Sequence, residues 1–231
     1  MEELEAGYGD VIVLRDVSFA VEEGQVAAIL GPNGAGKTTT LRAVSGLLRP
    51  SGRVSFDGKD LVGMKPEAIV RLGIAHVPEG RGTFAALSVE ENLRVGAYLR
   101  RDGDGVTGDL DRCFTYFPRL RERRADAAGN LSGGEQQMLA VARGLMLRPR
   151  LILLDEPSLG LAPVLTKELF RILAEIAQEQ NTTMLVVEQN ANLVLGLADY
   201  AYVLEAGQIV LDGDAERMKG EEAVRNAYLG L

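Results

Sequence analysis

Apolar residues along this chain fall into two alternating kinds of segment. Some are short β-branched runs ending in glycine or an acid; others are longer stretches with apolar residues three and four apart. Val26–Leu30 is an unbroken apolar run that stops at Gly31, the pattern of a buried strand. Val11–Val13 and Val17–Val21 predict a pair of antiparallel strands around a turn, and Arg53–Phe56 with Asp57-Gly58 a strand and a turn. Ile74–Pro78 reads as a further strand edge, and Thr39–Leu48 as helical. Ser88-Val89-Glu90-Glu91 is a capping box: the serine oxygen can accept from a free backbone N–H while Glu91 reaches back. It predicts a helix to about Leu99, then a loop at Asp102–Gly108 and a second helix at Leu110–Leu120, so that approximately residues 84–130 form a helical insert. A helix from Ser132 carries Met138, Val141 and Leu145 inward, and Leu151–Leu154 follows as a buried strand. Pro163 suits a first helical turn ahead of the helical spacing in Leu165–Ala177. Thr183–Val187 and Tyr200–Leu204 predict strands, Ala206-Gly207 a turn into Gln208–Leu211, and Glu221–Leu229 a closing amphipathic helix. Strands alternating with helices point to an α/β fold.

Composition narrows the class. With 46% hydrophobic and 25% charged residues the chain can build a core, which excludes a disordered protein. Its apolar runs are too short to cross a bilayer. The start, MEELEAGYGD, is acidic and lacks an apolar signal core, so a cytoplasmic protein is expected. A net charge of −8 argues against a nucleic-acid partner, and the local cluster of Arg119, Arg121, Arg123 and Arg124 reads as a solvated face. Cys113 is the only cysteine, a small helix residue that can form no internal disulfide, and His76, the only histidine, reads as a strand residue.

The chemistry begins at Gly31-Pro32-Asn33-Gly34-Ala35-Gly36-Lys37-Thr38, a complete G-x-x-x-x-G-K-[ST] loop between a strand and a helix. A triphosphate concentrates negative charge. Backbone N–H groups in a concave glycine loop can bind it, and the following helix adds its positive end. Lys37 supplies a point charge for the β- and γ-phosphates, and the Thr38 hydroxyl is a hard oxygen ligand suited to Mg²⁺. A second element is Leu151-Ile152-Leu153-Leu154-Asp155-Glu156, where two carboxylates stand at the end of a buried strand. Asp155 can hold Mg²⁺, and Glu156 can polarise the water that attacks the γ-phosphate.

Leu131-Ser132-Gly133-Gly134-Glu135-Gln136-Gln137 puts a serine and two glycines at a helix N-terminus, a second anion site. One nucleotide does not need two such sites in one protomer, which suggests ATP sandwiched between two subunits. With these motifs in this order, nearly the whole chain resembles the ABC transporter nucleotide-binding domain. The strings Val77-Pro78-Glu79-Gly80-Arg81, Glu156-Pro157-Ser158-Leu159-Gly160-Leu161-Ala162-Pro163 and Val187-Glu188-Gln189-Asn190 resemble the LivF-like ATPases of branched-chain amino-acid transporters. The ATPase of a related importer, for urea or another amino acid or polar solute, is the alternative.

That resemblance implies a single domain spanning 1–231: a P-loop NTPase (RecA-like) core with an antiparallel β-subdomain and a helical subdomain that touches membrane subunits. It implies ATP and Mg²⁺ as ligands, with Tyr8 stacked on adenine, Gly31 through Thr39 on the phosphates, and Ser132, Gly133, Gly134 and Glu135 on a nucleotide across the dimer. Glu156 and Gln189 would serve catalysis; Thr38, Glu79 and Asp155 would serve the metal. Its partners would be a second ATPase subunit (a different chain, or a copy of this one), two membrane-spanning permeases and, indirectly, a solute-binding protein. Its place would be peripheral, on the cytoplasmic face of the membrane. Three positions depart from the general family pattern: Glu79 replaces glutamine, Gln189 replaces a histidine, and Ala162 replaces an aspartate. Glutamine can hydrogen-bond a phosphate but cannot carry a proton as histidine can. A soluble ABC ATPase acting on nucleic acid or ribosomes, or a P-loop kinase, fits less well. The first usually has tandem cassettes or a coiled-coil insert, and the second has no use for the signature at Leu131–Gln137.

Overall fold

The computed structural model describes residues 1–220, so the helix expected at Glu221–Leu229 lies outside the described residues. The chain opens with β1 (Glu2–Tyr8), paired antiparallel to β2 (Val11–Val17). Strand β1 was not expected from the sequence. In it Leu4 and Ala6 face the core while Glu2, Glu3 and Glu5 face water, so period-2 alternation hides inside an acidic stretch. The two strands expected at Val11–Val13 and Val17–Val21 are instead one strand, and the residues after Val17 leave the sheet.

Strand β3 (Val26–Leu30) leads to α1 (Lys37–Val44), then to β4 (Ser51–Arg53), β5 (Ser55–Phe56), β6 (Lys59–Asp60) and α2 (Pro66–Arg71). Strand β7 (Ile74–Val77) precedes three helices: α3 (Val89–Gly96), α4 (Gly103–Tyr116) and α5 (Pro118–Glu122). The expected capping box is present at α3: Ser88 Oγ accepts from the Glu91 N–H at 3.1 Å, and the Ser88 N–H donates to Glu91 Oε2 at 2.7 Å. The expected loop at Asp102–Gly108 is largely the start of α4. Buried Asp109 anchors that helix, accepting from Arg100 Nη1 and Arg148 Nε at 2.5 Å each, and this tertiary pairing overrides the poor helix propensity of its glycines. The helix expected at Leu110–Leu120 is split in two, because Pro118 has no N–H to continue the ladder.

Helix α6 (Gly133–Leu145), β8 (Leu151–Asp155), α7 (Pro163–Gln180), β9 (Thr183–Glu188), α8 (Ala191–Val194), β10 (Tyr200–Glu205), β11 (Gln208–Asp214) and α9 (Ala215–Gly220) complete the described chain. The main sheet runs β11-β10-β3-β9-β8-β7, parallel except for the edge strand β11. Side chains of β3 alternate between two cores. Val26, Ala28 and Leu30 join residues of α6 and α7, while Ala27 and Ile29 join residues of α1 and the β2-β1-β4 sheet. A parallel sheet covered on both faces explains why its strands read as continuous apolar runs.

Candidate nucleotide site

The central position of β3 aims residues 31–36 at the carboxyl edge of the sheet, where open α/β sheets bind ligands. Two glycines are sterically required there. A Cβ on Gly31 would stand 2.3 Å from the Leu204 carbonyl oxygen of β10. Gly36, the N-cap of α1, has φ 112°, and a Cβ on it would stand 2.5 Å from Leu14.

Lys37 is almost fully buried, and its ammonium donates to the carbonyls of Gly31 at 2.9 Å and Pro32 at 3.2 Å. It also forms an ion pair with Glu156 Oε1 at 3.0 Å. The next residue, Thr38, donates from Oγ1 to Asp155 Oδ1 at 3.0 Å. The phosphate loop and the acidic strand end, more than a hundred residues apart in sequence, are thus joined through these two contacts. Glu156 turns away from β8 with φ 45°, a left-handed conformation uncommon outside glycine, while its N–H donates to the Val187 carbonyl at 3.0 Å. That turn lets Asp155 and Glu156 present their carboxylates side by side.

Burial raises the Asp155 carboxyl above its ordinary range, and the charges of Glu79 and Glu156 add to the shift; hydrogen bonds from Thr38 and the Glu79 backbone oppose it. Such crowded negative charge, lined with hard oxygen donors, fits a divalent cation. No cluster of three His, Cys, Asp or Glu is present among the described residues. A cation that takes one carboxylate, a hydroxyl, water and substrate phosphates suits that sparse set, which is the habit of Mg²⁺.

A cleft of about 470 Å³ opens over the loop, lined by Tyr8, Gly36, Lys37, Thr38, Glu79 and Glu156 among others. Tyr8 is 44% exposed, and Arg42 of α1 holds it by donating to its hydroxyl at 3.0 Å. Exposed Glu79 lines the same cleft. Gln189 is exposed and does not line it; Ser132–Glu135 also stand outside it. Ser132 caps α6, with Glu135 returning the bond to the Ser132 N–H at 2.8 Å. Ala162 caps α7 without a side-chain bond.

One acid escaped the sequence reading. Glu188, at the end of β9, is buried and accepts from the N–H groups of Ser158 at 2.9 Å and Gln189 at 3.2 Å. Burial raises its carboxyl, with the charge of Glu156 adding to the effect. A charged residue closing an otherwise apolar strand, directly before Gln189, was the signal for it.

Comparisons with known proteins agree with this geometry. Residues 14–159 match the family model described as ABC transporter. The chain is 46% identical over 224 residues to the high-affinity branched-chain amino acid transport ATP-binding protein BraG of Pseudomonas aeruginosa, covering 96% of this chain and 95% of that protein. It is 35% identical over 229 residues to a probable branched-chain amino acid transport ATP-binding protein, LivF, of Archaeoglobus fulgidus, covering 99% and 97%. Among solved structures, an ATP-binding subunit of an ABC transporter superposes with a TM-score of 0.83 at 29% identity, covering 99% of this chain and 95% of that one. The sheet order and the added β and helical parts are those of a P-loop NTPase core with its two subdomains.

Proposed function

The chain belongs to the ABC transporter family, and on that premise we propose that it is the ATP-hydrolysing subunit of an importer for branched-chain amino acids. The Lys37–Glu156 pair beside the Thr38–Asp155 bond carries the hydrolytic part of the reading. The likeness to BraG and LivF supports the cargo.

Lys37 and the N–H groups of residues 31–39 bind the β- and γ-phosphates, and Tyr8 stacks on the base. An arriving γ-phosphate attracts the Lys37 ammonium, which frees the Glu156 carboxylate to hold and polarise the attacking water. Thr38 and Asp155, with Glu79 nearby, would hold Mg²⁺, and neutralisation of phosphate charge is what that ion supplies when bound. Ser132, Gly133, Gly134 and Glu135 take the nucleotide of a facing cassette, which accounts for their position outside the cleft. Gln189, the residue after β9, reaches the γ-phosphate as a hydrogen-bonding group once the cleft closes.

The working unit pairs this cassette with a second ATPase subunit of different sequence, on two membrane-spanning permeases fed by a solute-binding protein. Among the described residues no helix is long and apolar enough to cross a membrane. As the ATP-hydrolysing subunit of a transporter, the chain sits peripherally on the cytoplasmic face, where ATP is supplied. The helices within residues 84–130 form the part that meets the permeases. The test is uptake of labelled leucine and of labelled urea by cells lacking this chain and by cells carrying Glu156→Gln. Loss of leucine uptake alone is expected; loss of urea uptake alone would refute the cargo. The solution mass of the Glu156→Gln chain with and without Mg-ATP then tells a self-pairing cassette from one that needs a different partner.

A further inference from the structure

Arg81 lies two residues beyond Glu79, with a left-handed backbone at φ 69°. Its side chain runs across the start of α6. A Cβ on Gly133 would stand 2.7 Å from Arg81 Nη2, and one on Gly160 would stand 3.8 Å from the same nitrogen. A single guanidinium therefore lies close to both the Ser132–Gly133 turn and the loop that follows Glu156. Its hydrogen bond among the described residues goes to Gln136 Oε1 and is long, 3.4 Å, and no described carboxylate pairs with it. Glu135, the acid beside Gln136 in sequence, is occupied by Ser132 and Arg123.

This placement is electrostatically odd. The N-terminal end of a helix carries partial positive charge, so a cation beside it is repelled. The groove next to Arg81, about 480 Å³, is lined by Glu79, Thr83, Gln136, Glu156 and Gly160. Arg81 itself lines this groove, as do Gln136 and Gln137 of the Leu131–Gln137 string, so the guanidinium offers charged donors there. An anion delivered from outside would relieve the repulsion and take charge-assisted bonds from a group that now has one weak neutral partner.

We propose that Arg81 is a phosphate-binding residue acting in trans: when two cassettes close, its guanidinium joins Ser132 and Gly133 in holding the γ-phosphate of ATP bound to the opposing subunit. The inference rests on the face-to-face reading above and adds a cationic ligand to it. Arg81 shares a loop with Glu79, so the loop beside this chain's own cleft is also tied to the nucleotide held by its partner. A bland role is open to test as well, in which Arg81 only braces its loop against Gln136.

The experiment uses the assembled transporter carrying Glu156→Gln, with Arg81→Met, Arg81→Lys or Gln136→Ala added. It measures the ATP concentration at which the cassettes close, by a fluorescence pair across them, and the affinity of the isolated chain for a fluorescent ATP. Arg81→Met is expected to leave the isolated chain's affinity within about twofold and to raise the closing concentration about tenfold or more, the effect of one charge-assisted bond. Arg81→Lys should recover most of the loss, and Gln136→Ala should close like its parent. Closure of Arg81→Met at the parent's ATP concentration overturns the proposal. So does Gln136→Ala doing the same damage, which would make Arg81 a brace. If the complex with Arg81 intact does not close on ATP, the face-to-face reading falls and this inference falls with it.

Discussion

The ammonium of Lys37 and the carboxylate of Glu156 neutralise each other at 3.0 Å, with side-chain exposures of 4% and 11%. The phosphate-binding cation and the candidate water-activating base are therefore each other's partner. Removing either end of this pair has a different consequence. Stranding one charge of a buried pair costs about 3–5 kcal/mol, so Lys37→Met should lower thermal stability as well as abolish ATP binding. Glu156→Gln can still accept from Lys37, so it should fold normally, bind ATP at least as tightly as the parent, and release no phosphate. Nucleotide titration, phosphate release and thermal melts check all three. A Glu156→Gln chain that hydrolyses ATP at the parental rate would remove Glu156 from catalysis.

Tyr8 is tied to Arg42 through its hydroxyl but would meet a base through its ring. Tyr8→Ala should weaken ATP about tenfold, since a stacked base is worth roughly 1–3 kcal/mol. Tyr8→Phe keeps the ring and should bind nearly as the parent does. Equal losses in the two variants would put the hydroxyl, and not the stack, in charge.

Legibility followed locality. The phosphate loop, the acidic strand end and the Ser132 cap are contiguous strings whose residue types state their own chemistry, and they are where the sequence placed them. Strand β1 was missed because its glutamates dominate the stretch in which Leu4 and Ala6 alternate. The first turns of α4 were missed because Asp109, which holds them, pairs not only with nearby Arg100 but with Arg148, 39 residues on. The Lys37–Glu156 pair and the position of Arg81 over Gly133 are likewise products of chain crossing, which no local string encodes.

His76 sits on β7 with Nε2 buried and without a hydrogen-bond partner among the described residues. Burial, with help from the Arg42 charge, pushes it down from 6.5 to about 4. A base with a depressed folded value contributes stability that is complete above its unfolded value. That contribution is lost as pH falls from 6.5 toward about 4. The full loss is about 3 kcal/mol. Denaturation of the parent and of His76→Gln at pH near 7 and near 4.5 should show a larger acid loss in the parent. Equal losses would mean that His76 does not titrate in the buried state.

Helices α3 and α6 pack tightly at Gly96, where a Cβ would stand 2.1 Å from the Arg143 carbonyl oxygen. Gly96→Ala should destabilise the protein by about 1–3 kcal/mol through overpacking. ATP affinity of the folded chain should be unchanged, because the crossing lies away from the cleft lining. A melt and a nucleotide titration on one preparation separate the two.

Gln189 lacks the charge that histidine would offer to a γ-phosphate. If that lack slows hydrolysis at this chain's own site, Gln189→His in the assembled transporter should raise phosphate release. An unchanged rate would count against the assignment.

Gly207, in the turn between β10 and β11, donates its N–H to the Ala35 carbonyl at 3.0 Å and accepts from the Arg15 N–H at 2.9 Å. A Cβ there would stand 1.9 Å from the Val13 carbonyl oxygen. The phosphate loop is therefore shaped in part by a turn some 170 residues downstream, and closing so long a loop carries an entropy cost that local structure does not. During synthesis, the nascent chain would carry the whole G-x-x-x-x-G-K-[ST] string long before it could hold that loop in its final curve. Affinity for nucleotide is in this sense a late folding event, and a ribosome-bound or truncated chain ending before β10 should display the motif without the binding.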